Sequence, residues 1–261
     1  MGFIVTKWVR FRHQSAIGFG SLDGDRITVH TGDLFNAPTA NGRTLALGDV
    51  ELLPPVVPSK IVALWNNFHA LAAKLNMPEP PEPLYLLKAP TSVTSPGAIV
   101  RRPKSYDGKV VYEGELGIVI GKTCASVSAS DADQFILGYT CVNDITAADI
   151  LHKDKTFPQW ARAKGFDGFC PFGPVIATDI SPSTLTVRTI LNGDERQSYP
   201  IADMIFTAQE LVSRISHDMT LLPGDLIACG TSVGVGAMKD PVNRVTVAID
   251  GIGELHNEYR N

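Results

Sequence analysis

The 261-residue sequence predicts an α+β fold that is mainly β: a sheet-rich roll preceded by a small β-rich N-terminal module. Three observations predict it. Strand-like segments cluster without a steady strand–helix alternation, which argues against Rossmann and TIM-barrel architectures. The alternating run Leu185 to Leu191 meets Asn192-Gly193, the strongest short hairpin signal in the chain. A hydrophobic content of 44% is ample for one large core plus a smaller attachment.

Taken in order, Phe3 to Phe11, Ala16 to Leu22 and Arg26 to His30 read as short strands, with Asp23-Gly24 turning a hairpin. Leu53-Pro54-Pro55-Val56-Val57-Pro58 is a stiff connector, because successive prolines hold the backbone extended and withdraw its donors. The boundary is placed there, separating residues 1–57 from 58–261. A helix is expected over Phe68 to Leu75, stopped by the Pro-rich stretch Pro78 to Pro83 before the apolar run Leu84 to Leu87. Val110 to Ile120 and Tyr139 to Asn143 are strand-like, and Ser130 is placed to cap a short helix over Asp131 to Leu137. Thr207 and Glu210 have capping-box spacing ahead of the stripe Leu211, Val212, Ile215, a helix ending near His217. Leu226 to Cys229, Val245 to Ile249 and Gly253 to Asn257 return to strands, with a turn at Asp250-Gly251.

A formal net charge of −4, with both signs mixed along the chain, offers no basic field for nucleic acid. Arg101, Arg102 and Lys104 form a short basic cluster in a Pro-containing loop and read as solvated surface. No run of about 18 apolar residues marks a membrane span, and the first residues lack a signal-peptide pattern, so the expected location is cytoplasmic. Cys124, Cys141, Cys170 and Cys229 are widely spaced, form no CxxC pair, and read as buried thiols. Gly117 to Thr123 falls one residue short of a Walker A loop, and Gly230, Gly234 and Gly236 miss the dinucleotide spacing.

The chemistry concentrates elsewhere. Glu113 and Glu115 stand at i and i+2 of a β-branched strand, so both carboxylates face one side with Cα atoms roughly 6.5 Å apart. An exposed acidic edge would give the same dipeptide pattern. Asp144 ends the apolar strand Cys141-Val142-Asn143 and supplies a third carboxylate, whereas Asp149 suits capping or exposure. Hard oxygen donors without nearby His or Cys favour Mg²⁺, Mn²⁺ or Ca²⁺ over Zn²⁺. Lys164 lies among glycines, aromatics and a proline, where a partly desolvated ammonium can stabilise an oxyanion or enolate. Gly230 to Gly236 presents the Thr231 hydroxyl beside close backbone N–H groups, suited to a carboxylate or equally to a plain Gly-rich turn.

From about Lys60 to the C-terminus these segments, in order, resemble the fumarylacetoacetate hydrolase superfamily. The matching runs are Tyr112 to Leu116, Gly138 to Asp144, Lys164 to Pro174, Gly193 to Phe206 and Pro223 to Gly236. The resemblance implies a mixed β-sandwich roll, usually dimeric, with Glu113, Glu115 and Asp144 as ligands of Mg²⁺ or Mn²⁺. It implies a catalytic or substrate-orienting role for Lys164 and a carboxylate-binding role for Thr231. Hydrolytic members carry a water-activating His–Glu dyad in a lid. Here Leu71 and Lys74 stand at those positions, with His69 two residues early as a replacement histidine. Ala148 replaces an Arg common after the Asn-Asp motif, and Ser232 the usual Pro of the Gly-Thr loop.

Loss of a general base costs hydrolysis typically 10²- to 10⁴-fold, while metal-assisted chemistry that needs no water keeps its parts. The resemblance therefore implies decarboxylation or isomerisation of an unsaturated 2-oxo dicarboxylic acid of aromatic catabolism, with Lys88 reaching a second carboxylate. Alternatives are a carbon–carbon bond hydrolase of the acylpyruvate, fumarylpyruvate or fumarylacetoacetate type, and a catalytically silent binding protein. The expected partners are a small 2-oxo acid and a second copy of the chain.

Overall fold

A computed structural model of the protein describes residues 5–261. The N-terminal strands are β1 (Thr6–His13), β2 (Ala16–Asp23), β3 (Arg26–Asp33), β4 (Asn36–Ala46) and β5 (Glu51–Leu53). The strand expected to begin at Phe3 falls partly outside the described residues. Next come β6 (Ile61–Trp65), α1 (His69–Leu75), β7 (Leu84–Lys88), β8 (Val93–Thr94), β9 (Ile99–Arg101), β10 (Val110–Tyr112), β11 (Gly114–Ile120), β12 (Ile136–Asn143) and β13 (Thr146–Ala147). The remainder comprises α2 (Trp160–Lys164), β14 (Cys170–Thr178), β15 (Thr186–Leu191), β16 (Asp194–Pro200), α3 (Ala208–Asp218), β17 (Leu226–Ala228), β18 (Gly236–Ala237), β19 (Val242–Ile249) and β20 (Gly253–Arg260).

The largest sheet runs β4-β3-β2-β1-β14-β12-β11-β17-β6-β7. After β7 a 3₁₀ turn at Pro90–Ser92 leads into β8, which pairs in parallel with β14. The path β14-β12-β11-β17-β6-β7 therefore returns to its own first strand and the sheet curls into a roll. One face of these strands, with Ile61, Ala63, Val119, Val142 and Leu226, packs inside the roll. The opposite face, with Val62, Leu64, Leu116, Ile118 and Ile227, joins the main core. Burial on both faces explains why β11 reads as an almost unbroken apolar run. The second sheet, β16-β15-β19-β20-β9, shares that main core through Val187, Val247, Ile249 and Leu255. At the other end of the roll sheet, β1 pairs with Ile176–Thr178 of β14, so the N-terminal strands extend it.

Two expectations change. The strand foreseen over Val110 to Ile120 is two strands, because β10 pairs with β13 and β18 while β11 pairs with β12 and β17. The chain changes sheets at Glu113. The helix foreseen over Asp131 to Leu137 is a single 3₁₀ turn, Ala132–Phe135, led by Asp131, and Ser130 caps nothing. Its stripe is too short to outweigh strand pairing, since Ile136 already opposes Ile120.

Thr207 caps α3 as expected, its hydroxyl accepting from the Glu210 N–H at 3.3 Å while the Glu210 carboxylate accepts from the Thr207 N–H at 2.8 Å. Thr207→Ala removes half of this box. It should lower stability by about 1 kcal/mol, read as a shifted urea midpoint at unchanged slope.

Candidate active site

The sheet change at Glu113 builds the site. Its N–H donates to the Asn143 side chain at 3.2 Å, and its carbonyl accepts from the Asp144 N–H at 2.8 Å. The end of β12 is thereby tied to the start of β11. Carboxylate oxygens of Glu113, Glu115 and Asp144 all lie within 4.8 Å of one another, with Glu115 and Asp144 fully buried. The one-face placement read from the sequence holds across the strand break.

Two lysines reach this trio from opposite sides. Lys164, the last residue of α2, donates to Glu113 Oε2 at 2.9 Å and forms a short ion pair with Asp144 Oδ2. Lys88, at the end of β7, pairs with Asp144 Oδ1 and donates to the Phe169 carbonyl at 2.9 Å. Both are 2% exposed. Lys88, offered by the sequence as a holder of a second carboxylate, here holds one of the chain's own. Burial works against charge on Lys164, but Asp144, Glu113 and Glu115 raise its pKa, so it stays an ammonium. Burial likewise opposes ionisation of Asp144, and Lys164 and Lys88 outweigh it, holding that carboxyl below its ordinary value.

Glu115 differs. Burial and the neighbouring Asp144 push its pKa well up, against the pull of Lys164. Its Oε2 accepts from the Gly230 N–H at 2.9 Å, and its Oε1 is buried with no hydrogen-bond partner among the described residues. Gly230 adopts φ +88°, and a Cβ there would stand 3.3 Å from the Leu64 carbonyl, so glycine suits this approach. A lone buried carboxylate oxygen in a group of three carboxylates fits a hard divalent cation, for which Glu113, Glu115 and Asp144 would supply oxygen ligands. Three carboxylates against two ammoniums leave one negative charge uncompensated; a divalent ion reverses that sign.

A pH dependence follows. Glu115 binds its proton more tightly folded than unfolded, so its contribution to stability is present below the usual carboxylate range and lost as pH rises through the raised value. Cation binding must displace that proton. Metal affinity should therefore rise with pH and level off above the raised pKa. Calorimetric titration of Mn²⁺ in buffers of different ionisation enthalpy should show proton release; equal heats in all buffers at acid pH would contradict it.

The Gly114 peptide between the two glutamates is clamped by Thr231 together with Gln197 and Tyr199, which the sequence reading missed. Its N–H donates to Gln197 Oε1 at 3.1 Å, and its carbonyl accepts from the Thr231 hydroxyl at 3.0 Å and from the Tyr199 hydroxyl. Gln197 Nε2 donates in turn to Thr231 Oγ1 at 2.8 Å. The Thr231 hydroxyl thus serves the backbone, while the Ser232 Oγ beside it and Asn66 Oδ1, after β6, are buried without partners. Thr146 donates to Glu113 Oε1 at 2.8 Å. A Cβ on Gly114 would meet Thr189 Oγ1 at 2.0 Å, which explains glycine between the acids.

His69 sits outside this cluster at the start of α1, exposed, its Nδ1 2.5 Å from Glu79 Oε1. Leu71 packs against the main core and Lys74 is exposed, so neither residue at the dyad positions replaces a histidine or a glutamate. All four cysteines are free and buried, and burial raises the Cys141 and Cys170 thiols to about 12, leaving them unreactive packing groups. Among the described residues no helix is long and apolar enough to cross a membrane.

A roll with an acidic trio and two buried lysines at a strand break defines a candidate oxygen-ligand site. Residues 60–260 match the family description "Fumarylacetoacetate (FAA) hydrolase C-terminal", and residues 6–55 match "Rv2993c-like, N-terminal". The chain belongs to the fumarylacetoacetate hydrolase family. It is 36% identical over 254 residues to the Bacillus subtilis oxaloacetate tautomerase YisK, covering 90% of this chain and 83% of the relative. A solved 2-hydroxyhepta-2,4-diene-1,7-dioate isomerase from Mycobacterium marinum shares 38% identity and a TM-score of 0.89, with 98% of each chain covered. A maleylpyruvate hydrolase from Sphingobium sp. SYK-6, solved with manganese(II) and pyruvate, shares 26% identity at a TM-score of 0.78, covering 97% of this chain and 98% of that one.

Proposed function

We propose that the protein is a divalent-metal-dependent isomerase of small unsaturated 2-oxo acids; only where a substrate carries a carboxylate beta to the ketone would breaking that C–C bond release CO₂ and leave its electron pair as an enolate at the same site. The observation that carries this reading is the unpartnered Glu115 Oε1 in a buried all-oxygen trio flanked by two lysines. Bound Mg²⁺ or Mn²⁺ would supply a Lewis acid for the ketone oxygen and its neighbouring carboxylate. The Lys164 ammonium, fixed by Glu113 and Asp144, donates toward negative charge that develops on the substrate. Lys88 holds Asp144 in place. Gln197 and Thr231 fix the Gly114 peptide, and with it the spacing of Glu113 from Glu115. Ser232 Oγ is a buried hydroxyl left to donate to a substrate oxygen, and Asn66 Oδ1 a buried acceptor left for water or an enol hydroxyl. The tautomerase and isomerase relatives support proton transfer next to a ketone.

Proton exchange at the carbon beside the ketone of a 2-oxo acid, followed by NMR in D₂O, tests this directly. Metal-dependent exchange is expected. Exchange no faster with protein and Mn²⁺ than with Mn²⁺ alone would sink the reading.

One observation favours a second reading, hydrolysis: His69 at the start of α1 and Glu79 in the Pro-rich segment after it form a histidine–carboxylate couple beside the segment where hydrolytic members carry theirs. Retained water addition by wild type and its loss in His69→Ala would establish it. Failure of the protein to bind any divalent cation would instead favour the silent binding protein.

A further inference from the structure

We propose that the site takes 2-oxo acids whose far end is an uncharged apolar group, an aryl ring or alkyl chain, rather than a second carboxylate. This rests on the metal-chelate reading above and names its substrate class. A cavity of about 520 Å³, within the size range of small-molecule sites, is walled by Trp65, Leu84, Leu86, Pro158 and Trp160, with His152 at its edge. Two features of the chain connect it to the ion cluster. Leu84, Leu86 and Lys88 occupy alternate positions of β7 and so share a face, running from the cavity wall to the Asp144 ion pair. Trp160 and Lys164 stand four residues apart on α2, one helical turn, with Trp160 in the cavity and Lys164 on the carboxylates. The indole rings of Trp65 and Trp160 meet with centroids 5.5 Å apart, and Trp65 stands beside Leu84, its pairing partner on β7, so indoles and leucines form one continuous apolar wall.

The charge pattern decides the occupant. Among the described residues lining the cavity none is Lys or Arg. The lysines within reach along these elements, Lys88 and Lys164, are already bound to Asp144 and Glu113. The Tyr85 hydroxyl turns away to Asp218. A carboxylate placed here would lose its hydration without gaining a cation, whereas an apolar arm gains contact with two indoles and two leucines. The dicarboxylate expected from the resemblance therefore gives way, at its far end, to an apolar group.

Calorimetric binding of pyruvate, phenylpyruvate and 2-oxoglutarate to the Mn²⁺-loaded full chain tests this. Phenylpyruvate should bind at least about tenfold tighter than 2-oxoglutarate, the scale on which apolar pockets discriminate. Trp160→Ala should weaken phenylpyruvate about tenfold while leaving pyruvate within about twofold. Leu84→Arg, a change at a partly exposed rim position, should raise affinity for 2-oxoglutarate and lower it for phenylpyruvate. Equal or tighter binding of 2-oxoglutarate by wild type, or parallel losses for pyruvate and phenylpyruvate in Trp160→Ala, would overturn the inference alone. Failure of pyruvate itself to bind would overturn the metal-chelate reading and this inference with it.

Discussion

Glu115→Gln should cost at least about a hundredfold in Mn²⁺ affinity and abolish metal-dependent turnover, while leaving the metal-free fold intact or stabilised. The amide keeps the volume, so no cavity opens in the roll. It removes an ionisable group whose charge is opposed by burial and by Asp144. Outer-shell partners of metal ligands are commonly worth 10- to 100-fold in affinity, and a ligand itself should reach at least the upper end. Calorimetry with Mn²⁺ and a thermal melt in chelator read the two halves separately. A variant that still binds Mn²⁺ within a fewfold of wild type would remove Glu115 from the ligand set.

Lys164→Met separates charge stabilisation from metal binding. The Lys164 Nζ is held by Glu113 and Asp144, so its removal leaves two carboxylates short of a counter-charge. In the metal-free protein this should cost about 3 to 5 kcal/mol, the usual penalty for breaking a buried ion pair from one side. The bound cation should offset much of that loss, so stabilisation by Mn²⁺ should exceed that of wild type. Turnover should fall roughly 10²- to 10³-fold with metal affinity unchanged or tighter, as for loss of one oriented donor to developing charge. An unchanged kcat in the metal-saturated variant would confine Lys164 to a structural role.

Much of this site was legible because its residues break local rules. Two glutamates in a β-branched strand and an aspartate at the end of an apolar one stand out against their neighbours. Lys164 stood out for the same reason. Gln197 did not: on β16 it is one of two buried positions in an otherwise polar hairpin strand, an ordinary amphipathic pattern, and its partner Gly114 lies 83 residues away. Lys88 ended an apolar run as solvated lysines often do, and only closure of the roll through β8 carries it to Asp144. The His69–Glu79 contact joins the start of α1 to the Pro-rich stretch that follows it, ten residues on and beyond any helical spacing rule.

The fold shows the same division. The hairpin at Asn192-Gly193, where both turn residues have positive φ, matches its turn chemistry, whereas the first hairpin turns one residue later than expected, at Gly24-Asp25, because Asp23 still pairs with Arg26. β4 escaped notice because it is an exposed edge strand, mostly Asn, Ala, Pro, Thr and Gly with one Arg and one Leu, with no buried residue and no alternation. The break at Glu113 was hidden because partner exchange between sheets leaves no mark in side-chain pattern: Val110 to Tyr112 and Gly114 to Ile120 are buried alike.

The most direct test of metal-assisted chemistry without water is the mass of the product formed anaerobically from unsaturated 2-oxo acids by the Mn²⁺-loaded protein, compared with Glu115→Gln. An isobaric product with shifted absorbance, absent in the variant, is the expected result; a product lighter by CO₂, absent in the variant, would keep the metal-assisted chemistry and overturn the apolar far end of the substrate. A gain of one water with cleavage into two fragments would contradict the account and establish the protein as a hydrolase.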